Sequence, residues 1–334
     1  MLENKLAFRI ACIATLLAFI VILLGATTRL KDAGLGCPDW PGCYGKAIVP
    51  HQLTSTIFAN HTINQNKAWI EMVHRYAAAT LILLCFATFI LILHKRKLPH
   101  QPVKTAFLLL VLLFLQGLLG KWTVTLQLHP IIVLSHLLGG ISLLSLLWIL
   151  LLRLSPFLRT SHDCKEKKTR YWAIISLIIV LIQIMLGGWT SSNYAAFICP
   201  DFPRCQGQWW PTMNFSEAFH LWLNANKNFE GGLLSSNART AIQIVHRIGA
   251  IITTASIIFL SYKLKKLNAH KTLQIISNLL IICLALQITF GILNVIWLLP
   301  LPVAIAHNGV AVCLLLLLIT LNYFLNSEYF IKII

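Results

Sequence analysis

A chain of 334 residues that is 57% hydrophobic, only 11% charged and of mean hydropathy +0.77 is not an ordinary soluble domain; this composition belongs to polytopic membrane proteins. Its formal net charge of +17 comes from 27 Lys and Arg against 10 Asp and Glu. Such a balance suits nucleic-acid binders, but here the basic residues gather in short connections between apolar runs, the pattern of membrane orientation, so nucleic acid is excluded as a partner.

Hydropathy predicts eight apolar spans, at 7–28, 69–93, 104–126, 130–152, 171–190, 240–261, 272–295 and 302–326. The first follows Lys5 and Arg9 as a signal peptide would. It is long, however, and no small-x-small cleavage pattern stands out before Arg29, so it is read as a retained helix, with a cleaved signal as the alternative. The second, WIEMVHRYAAATLILLCFATFILIL, carries Glu71, His74 and Arg75 near its start. Ionisable groups inside a hydrophobic segment are costly and are functional candidates by default. The third holds Gln116 and Lys121, which blurs its outer end, and the fifth is slightly short if it stops at Thr190. The connections after spans two, four and six, HKRKLPHQPVK, RLSPFLRTSHDCKEKKTR and SYKLKKLNAHK, are strongly basic. The positive-inside rule therefore puts loops 94–103, 153–170 and 262–271 and both termini in the cytoplasm, and segments 29–68 and 191–239 outside.

The two external segments contain GLGCPDWPGCYG, with Cys37 and Cys43, and FICPDFPRCQGQWWP, with Cys199 and Cys205. Each pair is close in sequence and on an oxidising side, which favours two local disulfides. A thiol redox or haem-handling pair and a metal site are the alternatives; a metal site would want two more soft ligands nearby, and none is evident. Cys12, Cys85, Cys283 and Cys313 lie in apolar spans and are read as core residues. Trp40, Trp189, Trp209 and Trp210 are expected at the outer membrane interface.

The chain is an internal duplication. LLGATTR at 23–29 answers MLGGWTS at 185–191, EMVHR at 71–75 answers QIVHR at 243–247, LQGLLGKWTV at 115–124 answers LQITFGILNV at 286–295, and Ser135-His136 answers Ala306-His307. The offset is 162 residues through the cysteine motifs and 171 to 172 afterwards, so the second external segment has grown. The expected fold is all-α: a polytopic membrane protein whose eight transmembrane helices form two four-helix bundles, related by a pseudo-twofold axis along the membrane normal. Residues 1–152 form the first half, 153–170 a cytoplasmic linker and 171–334 the second half.

His74, His136, His246 and His307 stand five or six residues inside spans two, four, six and eight, a shared depth of about 8–9 Å below the outer helix starts. Two histidines on facing helices can hold a haem iron through both axial positions, so the repeat predicts His74 with His136 and His246 with His307. A packing role is the alternative for each histidine alone, less so for four in a duplicated pattern. His51, His61, His94, His100, His129, His162, His220 and His270 are read as surface or interface histidines. Arg29, Arg75 and Arg247 lie at the outer edge, where they could pair with haem propionates or with lipid headgroups. Gly25, Gly120, Gly139, Gly140, Gly187, Gly188, Gly249 and Gly291 suit close approach of helices or a cofactor. Glu71, three residues before His74, is matched by Gln243, so only the first site has a carboxyl that could move protons or steady positive charge. This asymmetry suggests a reactive first half and a second half that holds a fixed cofactor.

With CPDWPGC at 37–43, EMVHR at 71–75, SH at 135–136, VHR at 245–247 and AHNG at 306–309 in this order, nearly the whole chain resembles the haem A synthase family. The resemblance implies an enzyme of a bacterial plasma membrane that oxidises the C8 methyl group of haem O to a formyl group, by two hydroxylations and loss of water from the geminal diol. It implies Glu71, His74 and His136 at the substrate haem O site, His246 and His307 as ligands of a haem b, and a role in activity for Cys37 and Cys43. Haem O synthase, a quinone acceptor and cytochrome oxidase assembly factors are the partners it suggests, and self-association is left open. The competing readings are a transmembrane bis-histidine cytochrome b passing electrons between quinol and a partner, and a transport or haem-delivery protein.

Overall fold

The computed structural model describes residues 4–52, 63–98, 101–155, 167–222, 227–266 and 271–325. Among them are eight helices long and apolar enough to cross a membrane. They are α1 (Lys5–Leu30), α2 (Gln65–His94), α3 (Val103–Thr125), α4 (Pro130–Leu154), α5 (Lys167–Ser192), α7 (Ser236–Lys266), α8 (Lys271–Ile296) and α9 (Leu301–Leu325). A short helix, α6 (Phe215–Ala218), lies between α5 and α7. The chain is an all-α, multi-pass membrane protein.

The helix ends follow from local chemistry. The Asn4 side chain accepts from Ala7 N–H at 3.4 Å and Asn64 from Lys67 N–H at 3.1 Å, each satisfying an amide that has no partner within its helix. α4 begins at Pro130, whose ring is preorganised for a first turn and whose missing N–H costs nothing there. Inside the spans, hydroxyls bond back to the preceding turn, as Thr15 to the Ala11 carbonyl at 2.7 Å and Ser145 to Ile141 at 2.8 Å, which satisfies them in an apolar medium; the buried Ser261 hydroxyl of α7 is an exception. α2 and α7 each begin four residues before the hydropathy spans, at Gln65 and Ser236. Their polar first turn rises out of the apolar layer, where hydropathy has no signal. His74 and His246 consequently lie nine and ten residues into their helices, against six for His136 and His307, so the common depth counted from span edges does not hold for helix starts, although partners across the repeat still match.

α1 packs on α2 and α4, and α3 on the same two; α5 packs on α7 and α9, and α8 on the same two. The two sets meet where α1 touches α9, α4 touches α5, and α4 touches α9. One apolar cluster runs through this junction and includes Leu144, Leu147, Ile257, Leu260 and Leu318. Large apolar side chains such as Leu83, Phe114 and Ile251 are 70%, 68% and 70% exposed and face outward, as lipid-facing positions do. Because lipid is as apolar as leucine, close packing and interhelical hydrogen bonds hold such helices together. One bond of this kind is Trp148 Nε1 to Thr320 Oγ1, 2.8 Å, between α4 and α9.

At the C-terminal ends of α1 and α5 the sets are tied by residues that correspond across the repeat. Arg29 donates to the Ser191 carbonyl, and the Tyr194 hydroxyl donates to Asp32 Oδ1 at 2.8 Å; both pairs are separated by 162 positions. The Arg29 guanidinium lies 3.8 Å over the Tyr194 ring. Lys67, in the first turn of α2, and Glu230, between α6 and α7, add an ion pair at 2.9 Å.

Candidate functional site

The described residues after α1 and after α5 form the same small loop. Disulfides join Cys37 to Cys43 and Cys199 to Cys205, both with a separation of 6 residues, as the spacing predicts. Asp39 accepts from the Tyr44 and Gly45 amides at 2.6 and 2.8 Å; Asp201 accepts from those of Gln206 and Gly207 at 2.6 and 2.9 Å. The aspartate of C-P-D is thus the internal cap of a turn whose last residues, Gly45 and Gly207, have φ of 75°, a conformation glycine adopts without strain. Burial, together with the charges of Asp39 and Glu71, pushes the Tyr44 phenol above its ordinary pKa.

The arginine after each histidine reaches back to this loop. Arg75 donates to the carbonyls of Asp39, Pro41 and Gly42, and Arg247 to those of Cys199, Asp201, Pro203 and Arg204. Glu71 is 4% exposed; it forms an ion pair with Arg75, and its Oε2 accepts the Cys37 N–H at 2.9 Å. Arg75 and Arg247, read as able to pair with haem propionates or lipid headgroups, direct these N–H groups to main-chain oxygens, and Glu71 turns toward the disulfide loop. Gln243, at the matching place in α7, is 6% exposed and its Oε1 is buried without a partner.

Below the loops, the four histidines fall into two sets. His74 and His136 lie near enough to interact electrostatically, as do His246 and His307. Each ring edge rests against a glycine of a neighbouring helix. A Cβ built on Gly25 would stand 3.1 Å from His74 Cε1, one on Gly120 3.5 Å from His136 Cε1, one on Gly187 3.2 Å from His246 Cε1 and one on Gly291 3.2 Å from His307 Cε1. Each pair therefore draws on all four helices of its set: α1 to α4 for the first, α5, α7, α8 and α9 for the second. The Nδ1 atoms of His74, His136 and His307 are buried and bonded to no protein group. Such nitrogens suit a ligand bound through the ring. Among the described residues, no three of His, Cys, Asp and Glu converge as they would around a bare metal ion.

Other expectations meet different outcomes. Trp209 and Trp210 are 68% exposed and Trp40 41%, but Trp189 is 4% exposed, with its indole N–H on the Ala218 carbonyl at 2.9 Å. His129, read as a surface or interface residue, is 0% exposed and lies 4.7 and 4.8 Å from the rings of Trp222 and Phe229. Both burials have one cause: described residues between α5 and α7 fold over the start of α4 and the end of α5. His51, His94 and His220 are exposed, while His61, His100, His162 and His270 lie outside the described residues. Of the thiols read as core, Cys85 is buried and Cys12, Cys283 and Cys313 are half-buried. Two residues escaped the sequence reading. The Gln183 amide nitrogen is 3.2 Å from His246 Nδ1, and that of Gln287 is 3.3 Å from His307 Nε2. Their signal is the recurring Q-x-x-x-G, in which the glutamine stands one turn before the glycine that faces a histidine.

The chain is similar to known proteins over nearly its whole length. The model of the cytochrome oxidase assembly protein family COX15-CtaA matches residues 8–319. A protein of Shewanella oneidensis named "Heme A synthase" is 47% identical over 322 residues, covering 95% of each chain. Proteins of the same name from Flavobacterium psychrophilum and Shouchella clausii are each 26% identical, covering 90% and 85% of this chain and 92% and 85% of their own. With its family model spanning nearly every helix and its paired histidines, glycines and disulfide loops repeated in both halves, the chain belongs to the COX15-CtaA family of cytochrome oxidase assembly proteins.

Proposed function

We propose that this protein is a haem A synthase, a membrane oxidoreductase that converts the C8 methyl group of haem O into the formyl group of haem A. The observation that carries this reading is the pair of histidine sites of which only one, His74 with His136, has a carboxylate, Glu71, one turn away on the same helix. Turning a methyl into a formyl group with water as the oxygen source removes four electrons and four protons, so the reaction needs both an electron acceptor and a path for protons. A quinone is the acceptor this reading favours. His74 and His136 orient the substrate through its iron, and Glu71 receives a proton or steadies positive charge as the methyl group is oxidised.

The second pair, His246 and His307, fits a resident haem b. Two imidazoles suit a low-spin iron, glycines stand beside both rings, and Gln243 brings no charge. When bound, such a group supplies one-electron redox chemistry. The helix contacts support two four-helix bundles, residues 1–152 for the substrate and 171–334 for haem b, joined by the linker 153–170. The Arg29–Ser191 and Asp32–Tyr194 contacts, each between corresponding positions of the repeat, support a pseudo-twofold axis passing between α1 and α5. The basic connections favour cytoplasmic termini in a bacterial plasma membrane, with both histidine pairs toward the outer face. Haem O synthase and oxidase assembly factors are the partners that this place in cofactor supply implies. A plain electron-carrying cytochrome b would explain the histidines but not the difference between Glu71 and Gln243.

Complementation tests the proposal. Expression in a bacterium that makes haem O but lacks its own haem A-forming activity should restore a haem A-containing oxidase, detected by its absorbance in membranes. Membranes that stay without haem A, despite normal accumulation of the protein, would refute it.

A further inference from the structure

Four positions stand one turn before the glycines that face the histidines: Val21 before Gly25, Gln116 before Gly120, Gln183 before Gly187 and Gln287 before Gly291. They do different things in the two halves. In the second, the Gln183 amide nitrogen bonds His246 Nδ1 at 3.2 Å and the His246 carbonyl at 3.0 Å, and the Gln287 amide nitrogen lies 3.3 Å from His307 Nε2. In the first, valine replaces the glutamine opposite His74 and holds the ring only through its main-chain carbonyl, and Gln116 turns away. Gln116 Nε2 is buried without a partner, and a Cβ on Gly139 would stand 1.8 Å from it.

A histidine ring turns readily about its terminal torsion unless a bond to one nitrogen fixes it. A side-chain amide can fix either tautomer, its nitrogen donating to a bare ring nitrogen and its oxygen accepting from a protonated one. Gln183 Oε1 and Gln287 Oε1 are both buried with no partner, so the acceptor end is free for a ring N–H once the other ring nitrogen binds iron. Gly249 makes the room: a Cβ there would stand 2.1 Å from Gln183 Oε1.

We infer that Gln183 and Gln287 are positioning residues that lock the second histidine pair in ligand orientation. The first pair has no such amide: the His74 ring donates instead to the Val21 main-chain carbonyl. This inference rests on the reading of His246 and His307 as a resident haem b site.

The test uses full-length protein purified in detergent with its haem b, and apomyoglobin as the haem acceptor. Gln183→Met and Gln287→Met keep side-chain volume and remove the amide; each should speed haem b transfer about 10- to 100-fold, the usual effect of losing a group that orients a metal ligand. Gly249→Ala, which displaces the Gln183 amide without altering it, should act in the same direction. Gln183→Glu restores an acceptor and adds negative charge, so it should hold haem b near the wild-type rate while lowering its midpoint potential. Wild-type transfer rates and potentials in both Met variants and in Gly249→Ala would overturn the inference. His246→Ala separates the two levels. Loss of haem b there, with unchanged transfer in the Met variants, removes only the glutamines, whereas full haem b content in His246→Ala removes the resident-site reading beneath them.

Discussion

The Glu71 carboxylate accepts the Cys37 N–H at 2.9 Å, so the helix that carries His74 is bonded directly to the first disulfide loop. The second oxygen of the same carboxylate holds Arg75, which in turn holds three carbonyls of that loop. Loop, carboxylate and histidine helix are therefore one connected unit, and a change at Glu71 can act through chemistry or through the loop.

Glu71→Gln separates these roles. The amide oxygen can still accept from Cys37, but the ion pair with Arg75 is lost. If the carboxylate moves a proton or steadies charge, haem A formation falls about 100-fold or more while haem b content stays normal. Pigment extraction and chromatography of variant membranes measure both. A normal haem A yield would leave Glu71 only its loop bond.

The ion pair itself is expected to be coupled in stability. Glu71 and Arg75 side chains are only 6% and 12% exposed, so Arg75→Met strands a buried carboxylate, at a cost of about 3–5 kcal/mol. Adding Glu71→Gln to Arg75→Met removes that stranded charge, so the double variant should melt at a higher temperature than the Arg75 single variant. Thermal unfolding in detergent gives the comparison; strictly additive losses would show that the two side chains are not coupled.

Much of this arrangement was legible in the sequence, and the reasons are local. Eight spans follow from uninterrupted apolar runs, and the disulfides from two copies of C-P-D-x-P-x-C. The histidine sets follow from a repeat that places His74 against His246 and His136 against His307. The bonds of Arg75 and Arg247 to the disulfide loops were not legible, because main-chain carbonyl acceptors leave no mark in a sequence. The burial of Trp189, read as a membrane-interface residue, and of His129, read as a surface or interface residue, was not legible because their cover comes from a segment far along the chain. Gln183 and Gln287 carried a readable pattern, but its meaning depends on the glycine one turn later facing a histidine of another helix.

The glycines give a graded prediction. The Cβ of an alanine at position 120 would stand at ordinary contact distance, 3.5 Å, from His136, whereas at 187 it would stand 3.2 Å from His246. Gly120→Ala should keep near-normal pigment. Gly187→Leu, which pushes a branched side chain into the space of the His246 ring, should lose most of its haem b. Pyridine haemochrome spectra of purified variants decide this, and full haem b in Gly187→Leu would show that the ring has room to move aside.

Orientation is open to direct labelling. Single cysteines introduced into 94–103 and 262–271 should resist a membrane-impermeant maleimide in intact cells and react after the membrane is opened, because these connections carry the basic excess. Reaction from outside in intact cells would reverse the assigned topology.

The most direct measurement of the central claim is the haem extracted from membranes supplied with haem O, resolved by chromatography and identified by mass. Wild-type protein should yield haem A. His74→Ala and His136→Ala should leave haem O unconverted while retaining haem b on the second pair. Haem O left unchanged by the wild-type protein, or haem A formed by both first-half variants, would contradict the assignment of the reaction to His74 and His136.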